Sequence, residues 1–355
     1  MSIAEVVAIG ALTPNGLDAR QAVFFTRAGR LFVRESPFVD RRGAPVGLAS
    51  VLAVPDDVRG SARLLALAAP ALRECLRGQP SMGPGTVPLL LALPGDAAGA
   101  SAGLGGSAAE NVLDRELLAR LGNEVDDRLD LGRSLIARFG RAGGAVALSV
   151  ALSRLRQRQV PFVVVGGVDS FHDADRLDAL DDAHRLHAED VENGTVPGEG
   201  AAFLLLAPPG AAGSLASLQS IAVEYEPRCL ESRADEPCQA LALTLAMRRA
   251  LDDAQLPRIG RLISDVVEER HRVLEQLLAS GRLATRLGAS PTHEQPLLTT
   301  GELGAATVPF LVAYAAGLFR ARAAGADGVP ALIVATSDGE PRAALVVTPP
   351  NGPSS

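Results

Sequence analysis

The sequence predicts an α/β protein built from two similar halves, and three observations carry that reading. Short runs rich in Val, Ile and Leu recur along the chain. Helical patterns, with apolar residues three and four apart, separate them. The same alternation then starts again after a Pro/Gly loop at 207–213 (APPGAAG). Short continuous apolar runs fit strands buried on both faces, as in parallel sheets covered by helices.

In the first half the strand-like runs are Val6–Leu12, Val87–Leu93, Phe162–Gly167 and Ala201–Ala207. Ala62–Arg77 has helical spacing, with Pro70 placed to kink or split it because proline lacks the N–H that a helix interior needs. Ala145–Gln157 is a second, alanine-rich helix. The other half repeats the grammar: strand Ser220–Glu226, amphipathic helix Glu236–Ala254, strand Leu262–Val267, and helix Glu268–Ala279 with a charged and an apolar face. Ala305–Arg322 is apolar nearly all round and is therefore expected to be buried. Strands Ala331–Thr336 and Ala343–Thr348 close the chain. The expected division is 1–207 for the first half, 208–217 for a linker, 218–349 for the second half, and a frayed Pro/Gly/Ser tail at 350–355.

Composition narrows the function classes. With 355 residues, 47% hydrophobic and 21% charged, the chain has ample apolar material for a core and is not a disordered polymer. No apolar run approaches the ~20 residues that cross a bilayer. Met1–Glu5 carries no positive charge ahead of the first apolar stretch, so a soluble, cytoplasmic protein without a secretory signal is expected. A net charge of −7 without a basic stripe argues against nucleic acid as a partner. All 34 basic residues are arginine, which excludes lysine Schiff-base chemistry and a phosphate-binding loop lysine. Cys75, Cys229 and Cys238 show no C-x-x-C spacing, and Gly103-Leu104-Gly105-Gly106 fails G-x-G-x-x-G, so neither a metal nor a cofactor is expected.

Three segments resemble the β-ketoacyl synthases, in order and at similar spacing. Val6–Gly16 (VVAIGALTPNG) resembles their opening strand and turn. Phe162–Ser170 (FVVVGGVDS), with Gly166, Gly167 and Asp169, resembles the strand and turn read as GG-x-(D/E)-S. Asn193–Ala202 (NGTVPGEGAA), with Gly198, Glu199 and Gly200, resembles D-G-F-x-x-G-E-G-A and is the most specific of the three. Later, Thr300–Ala306 (TGELGAA) resembles T-G-H-x-x-G-A-A but is one residue shorter, and Ala335–Gly339 (ATSDG) stands where that family has a glycine-rich turn. The resemblance implies the thiolase-like fold: two α/β halves in a five-layer αβαβα core. It also implies dimerisation, with Phe162–Val165 buried against its copy.

In that family a cysteine at the N-terminus of a buried helix works with two histidines on acyl thioesters. The helix terminus lowers the thiol pKa and supplies an oxyanion hole. Carried onto this chain, the nucleophile position in Gly140-Arg141-Ala142-Gly143-Gly144 is Arg141. The first histidine region, Ser264–Glu269, holds Asp265, Glu268 and Glu269 but no H-G-T, and the second histidine falls on Glu302. Arginine is never deprotonated in a protein and cannot attack a thioester. Arg141 is therefore expected to pair with Glu302, Asp265 or Glu268, in a candidate pocket that also includes Gly143, His293 and Ser337.

Other residues are weaker candidates. Cys75 reads as a small core residue, Cys229 and Cys238 as non-catalytic, His271 as solvated on a polar helix face, and His172, His184 and His187 as part of a polar surface stretch. Ser134, Ser149 and Ser153 lack a G-x-S-x-G elbow. The resemblance implies a bacterial-type protein of fatty acid or polyketide synthesis, akin to chain-length factors. It would be a non-catalytic scaffold, acyl-binding or partner subunit, acting as a homodimer or as a heterodimer with an active ketosynthase. Acyl carrier protein or an acyl thioester would be its further partner. The alternative is an active acyltransferase or condensing enzyme with rearranged residues.

Overall fold

Side-chain alternation along the strands decides the layering. In β7 (Glu199–Ala207), Ala202, Leu204 and Leu206 join one packing cluster while Ala201, Phe203 and Leu205 join another. In β11 (Ala331–Thr336), Ala331, Ile333 and Ala335 enter that same first cluster, and Leu332 and Val334 a third. The period of two thus sends alternate residues to opposite faces, and one central cluster is shared by both ends of the chain. The computed structural model describes residues 2–77, 85–95, 108–232, 238–256, 258–288, 291–321 and 328–350. The glycine run 103–106, the helix start at Glu236, its counterpart end at Arg322 and tail residues 351–355 lie outside them.

The remaining strands are β1 (Ala4–Leu12), β2 (Arg34–Val39), β3 (Pro45–Leu48), β4 (Leu89–Ala92), β5 (Leu135–Ala137), β6 (Val163–Ser170), β8 (Ala216–Tyr225), β9 (Arg261–Ser264), β10 (Thr292–Glu294) and β12 (Pro341–Thr348). β2 and β3 form a small antiparallel hairpin; the other ten form one sheet ordered β10-β9-β11-β12-β8-β1-β7-β6-β4-β5. Outward from β1 the neighbours run antiparallel, antiparallel, parallel, parallel; outward from β8 they repeat that sequence of directions. The two halves therefore share one topology, joined where Ala4–Val6 pairs with Ala216–Leu218.

The longer helices are α1 (Ala19–Arg27), α2 (Gly60–Leu76), α3 (Ala108–Asn123), α4 (Gly143–Arg156), α5 (Ala174–Asp182), α6 (Leu241–Ala254) and α7 (Arg270–Arg282). Two single turns, α8 (Ala284–Leu287) and α9 (Leu297–Thr300), precede α10 (Thr307–Arg320). α2 covers the outer face of the first half and α6 that of the second, while α4 and α10 fill the centre between the two sheet halves. The result is the five-layer order helix, sheet, helix, sheet, helix.

Three expectations change. Pro70 neither splits nor ends α2, which runs unbroken for 17 residues; Pro70 lies on its exposed side. β6 is not an edge: β7 and β4 pair with its two sides, so Phe162–Val165 has no free edge for a copy. Among the described residues the edge of the first half is β5. His172 is buried rather than on the surface, because the β2–β3 hairpin and its flanks cover it. It packs edge-on to Phe38 at 4.9 Å, and its Nε2 lies 3.0 Å from the carbonyl of Asp56.

Candidate functional site

The central helices α4 and α10 begin side by side. A Cβ on Gly144 would stand 2.5 Å from Cδ of Pro309, so only glycine lets the two starts approach this closely. Each helix is preceded by a 3-10 turn, Gly140–Ala142 before α4 and Gly304–Ala306 before α10. The first turn carries Arg141, and Glu302 sits two residues ahead of the second.

Around these starts lies an ionic network, buried except at Arg185 and Asp338, which are partly exposed. Arg141 donates from Nη2 to Asp338 Oδ1 at 2.5 Å and from Nε to the carbonyl of Thr336 at 2.7 Å. Its guanidinium is also 3.6 Å from Asp265 and 3.7 Å from Glu302. Arg272, in the first turn of α7, donates to Glu302 at 2.6 Å and lies 3.4 Å from both Asp265 and Glu269. Arg185, which follows α5, donates to Glu269 at 2.7 Å and to Asp338 at 2.9 and 3.2 Å. Three guanidiniums thus share four carboxylates. Arg141 and Arg185 come from the first half of the chain, and all four carboxylates come from the second.

Burial alone would lower the pKa of Arg141, but Asp338, Glu302, Asp265 and Glu269 outweigh it and hold the guanidinium protonated. Burial alone would raise Asp338; Arg141 and Arg185 instead hold it well below the usual carboxylate range. Glu269 is lowered in the same way, by Arg185 and Arg272 against burial. Backbone groups fix the acceptors. Asp265 takes the N–H of Thr336 at 2.7 Å, and Glu302 takes that of Gly304 at 2.9 Å. Ser337 Oγ accepts from Ala142 N at 3.0 Å and donates to the carbonyl of Phe139 at 2.5 Å, which ties the β11–β12 turn to the start of α4.

The glycine-rich motifs position this network. Asp169 accepts from Ala305 N at 2.8 Å. Gly304, at φ +49°, leaves room for that carboxylate, since a Cβ there would lie 1.9 Å from its Oδ2. Pro197, beside Gly198, bridges to Glu302, whose N–H donates to Val196 O at 2.9 Å. Glu199, between Gly198 and Gly200, makes a separate buried pair. It accepts from Arg63 Nε at 2.6 Å and Nη2 at 2.7 Å, from Val51 N at 2.9 Å and from Ser170 Oγ at 2.6 Å. Gly166 and Gly167 lie in β6, which leads into Asp169 and Ser170.

Of the expected site residues, Arg141, Asp265, Glu302 and Ser337 meet, with Gly143 opening α4 beside them. Glu268 is exposed, and its neighbour Glu269 takes the inward position. His293 is exposed on β10, where it pairs with Leu262 of β9 at the sheet edge, and it makes no contact with the network among the described residues. His271 is half-buried rather than solvated, and burial first, then the Arg185 and Arg141 charges, push its pKa down to about 4. Arg185, Arg272 and Asp338 went unrecognised as site residues. Asp338 directly follows Ser337, and Arg272 stands three residues after Glu269 on one helix face; Arg185 has no local signal.

Arg185 and Glu269 also line a surface cleft of about 610 Å³, together with His184, Asp190, Arg270 and His271. Cysteine chemistry lies elsewhere. Cys75 is in the outer core on α2, its thiol pKa raised by burial and Glu74, with Sγ 3.8 Å from the carbonyl of Ala8. Cys238 converges with Glu226 and Glu275, and burial pushes its thiol up to about 11. Arg342 already holds Glu275 at 2.6 Å, and a guanidinium there opposes a metal cation.

Residues 132–211 match the sequence family described as Beta-ketoacyl synthase, N-terminal domain. The whole chain superposes on solved ketosynthases. The chain has the β-ketoacyl synthase fold. Against the ishigamide ketosynthase/chain length factor the TM-score is 0.73 at 19% identity, covering 98% of this chain and 99% of that one. Against the ketosynthase ApeO in complex with its chain length factor ApeC from Xenorhabdus doucetiae, the TM-score is 0.71 at 14% identity, covering 98% of each. The ketosynthase from module 6 of the bacillaene synthase from Bacillus subtilis 168 gives 0.77 at 13% identity, covering 99% of this chain and 73% of that one. No curated protein matches the chain by sequence. Among the described residues, no helix of this ketosynthase-fold chain is long and apolar enough to cross a membrane.

Proposed function

We propose that this is a ketosynthase-like subunit without the condensing triad, serving as a structural partner or acyl-binding subunit rather than as the catalyst. The observation that carries the reading is Arg141: a guanidinium locked to Asp338, Asp265 and Glu302 fills the turn at the start of the central helix α4. A group held protonated by four carboxylates cannot serve as a nucleophile or a base. The network leaves its members paired to one another, as suits a structural clamp between the two halves.

Intact-mass measurement after incubation with acyl-CoA or acylated carrier protein tests this, and no acyl adduct is expected. A stable adduct on any cysteine or serine would overturn the reading in favour of an acyltransferase with rearranged residues.

The partner reading rests on β5. Among the described residues it has a strand neighbour on one side only, and Leu131 and Leu135 are exposed beside the open edge. Open strand edges recruit strands, and two of the similar structures are described as a ketosynthase with a chain length factor. Light scattering on the purified chain should give twice the chain mass for a homodimer. A monomer that gains mass only with an active ketosynthase present would make it the heterodimer subunit.

A further inference from the structure

Residues 27–33, from Arg27 to Val33, are all exposed, although three of them are large and apolar. Leu31, Phe32 and Val33 are 40, 45 and 44% exposed. Consecutive apolar residues in solvent are disfavoured unless a partner covers them. The neighbouring α1 adds to the same segment. It turns Ala19, Ala22, Val23 and Thr26 inward and leaves Phe24 65% exposed, stacked edge-on to Phe25 at 5.3 Å. Leu17, just ahead of the helix, is exposed as well. Leu298 of α9 is exposed next to Thr299, which is tied to the end of α1 through Asn15: its amide donates to Thr299 O at 2.9 Å and to Thr26 Oγ1 at 3.2 Å.

Charge runs against the chain's average here. Between Leu17 and Val33 there are three arginines, Arg20, Arg27 and Arg30, all exposed, against one acid, Asp18, in a chain of net charge −7. The apolar run follows those cations directly: Leu31 and Phe32 come straight after Arg30, while Val33 leans on β3, its Cγ1 2.9 Å from where a Cβ on Gly47 would stand. Protein anchors sit in well-packed pockets. An exposed apolar run beside cations instead suits an interface in which apolar side chains enter the headgroup–acyl boundary and cations meet anionic headgroups.

We propose that this face docks the protein peripherally on an anionic lipid surface, with Phe24, Leu31 and Phe32 entering the boundary and Arg20 and Arg30 meeting the headgroups. The face lies beside α9, which leads directly into the loop carrying Glu302.

The test sediments the full chain with phosphatidylcholine vesicles, with and without phosphatidylglycerol. Phosphatidylglycerol should raise the bound fraction about tenfold at low salt, and added salt should reverse the gain. Phe32→Ser and Leu31→Ser should each weaken binding about tenfold, and Arg30→Gln about fivefold; because these side chains are exposed, the thermal midpoint should stay unchanged. Binding that is absent, equal on neutral vesicles, or unchanged in Phe32→Ser would overturn the proposal. So would light scattering that shows a wild-type dimer and a Phe32→Ser monomer, which would assign the face to a second copy.

Discussion

Two buried ionic sites in this molecule are built on opposite plans. At Arg63 and Glu199, one guanidinium meets one carboxylate in a bidentate pair, with side chains only 1 and 0% exposed. The surplus acceptors of Glu199 are filled by Val51 N and Ser170 Oγ, and the surplus donors of Arg63 by the carbonyls of Pro55 and Val58. At Arg141 nothing is exclusive: Asp338 serves Arg141 and Arg185, Glu302 serves Arg141 and Arg272, and Glu269 serves Arg185 and Arg272. The first plan lies within one half of the chain; the second spans both. A closed pair fails when either member is lost, whereas a shared network redistributes its charge.

The largest expected effect breaks the closed pair. Arg63→Ala strands a fully buried carboxylate and should cost about 4 kcal/mol. Arg141→Ala leaves Arg185 and Arg272 to hold the orphaned acids and should cost less, about 3 kcal/mol. Urea unfolding of both variants checks the order. If Arg141→Ala proves the costlier, the sharing is illusory and Arg141 is the keystone of the network.

Acid should act on the network first. His271 is half-buried within reach of the charges of Glu269, Arg185, Asp338 and Arg141, and burial sets its folded pKa at about 4, below the unfolded value of about 6.5. A histidine with a depressed folded pKa contributes stability that is full above the unfolded pKa and is lost as pH falls from about 6.5 toward 4. Discounted for partial exposure, the loss is about 2 kcal/mol. The lowered carboxyls of Asp338 and Glu269 add a second loss below about 4, with the same sign. His271→Gln should flatten the limb between pH 6.5 and 4 and leave the lower limb intact. An unchanged upper limb would remove the imidazole from the account.

Much of this was legible in the sequence, for physical reasons. Apolar runs locate buried strands because both faces of the sheet are covered, though which strands pair is set by tertiary topology. Short pieces such as β5, β10 and the β2–β3 hairpin carry too few residues for periodicity to register. Glu199 was legible because Asn193–Ala202 resembles the family's D-G-F-x-x-G-E-G-A. Arg141 and Glu302 were legible because they stand where the family resemblance puts the nucleophilic cysteine and the second histidine, and each brings the wrong chemistry. Arg185 was not: its partners lie 84 and 153 residues away, and no spacing rule reaches that far. Phe162–Val165 misled because a buried central strand and an apolar dimer strand share one composition.

The smallest expected effect tests the register of the segment entering α7 against the rest of the network. Glu268 and Glu269 lie just ahead of α7, with Glu269 in extended backbone, where successive side chains point to opposite sides; Glu269 turns to Arg185 while Glu268 faces solvent. Glu269→Gln removes a charge that two guanidiniums share and should cost about 2 kcal/mol. Glu268→Gln should lie within about 0.5 kcal/mol of wild type, as surface changes do. Thermal midpoints of the two variants, measured side by side at neutral pH, separate them. If Glu268→Gln were the costlier, the segment entering α7 would be shifted by one residue from this arrangement. Glu269 would then face solvent, and Arg185 would keep Asp338 alone of the carboxylates it meets here.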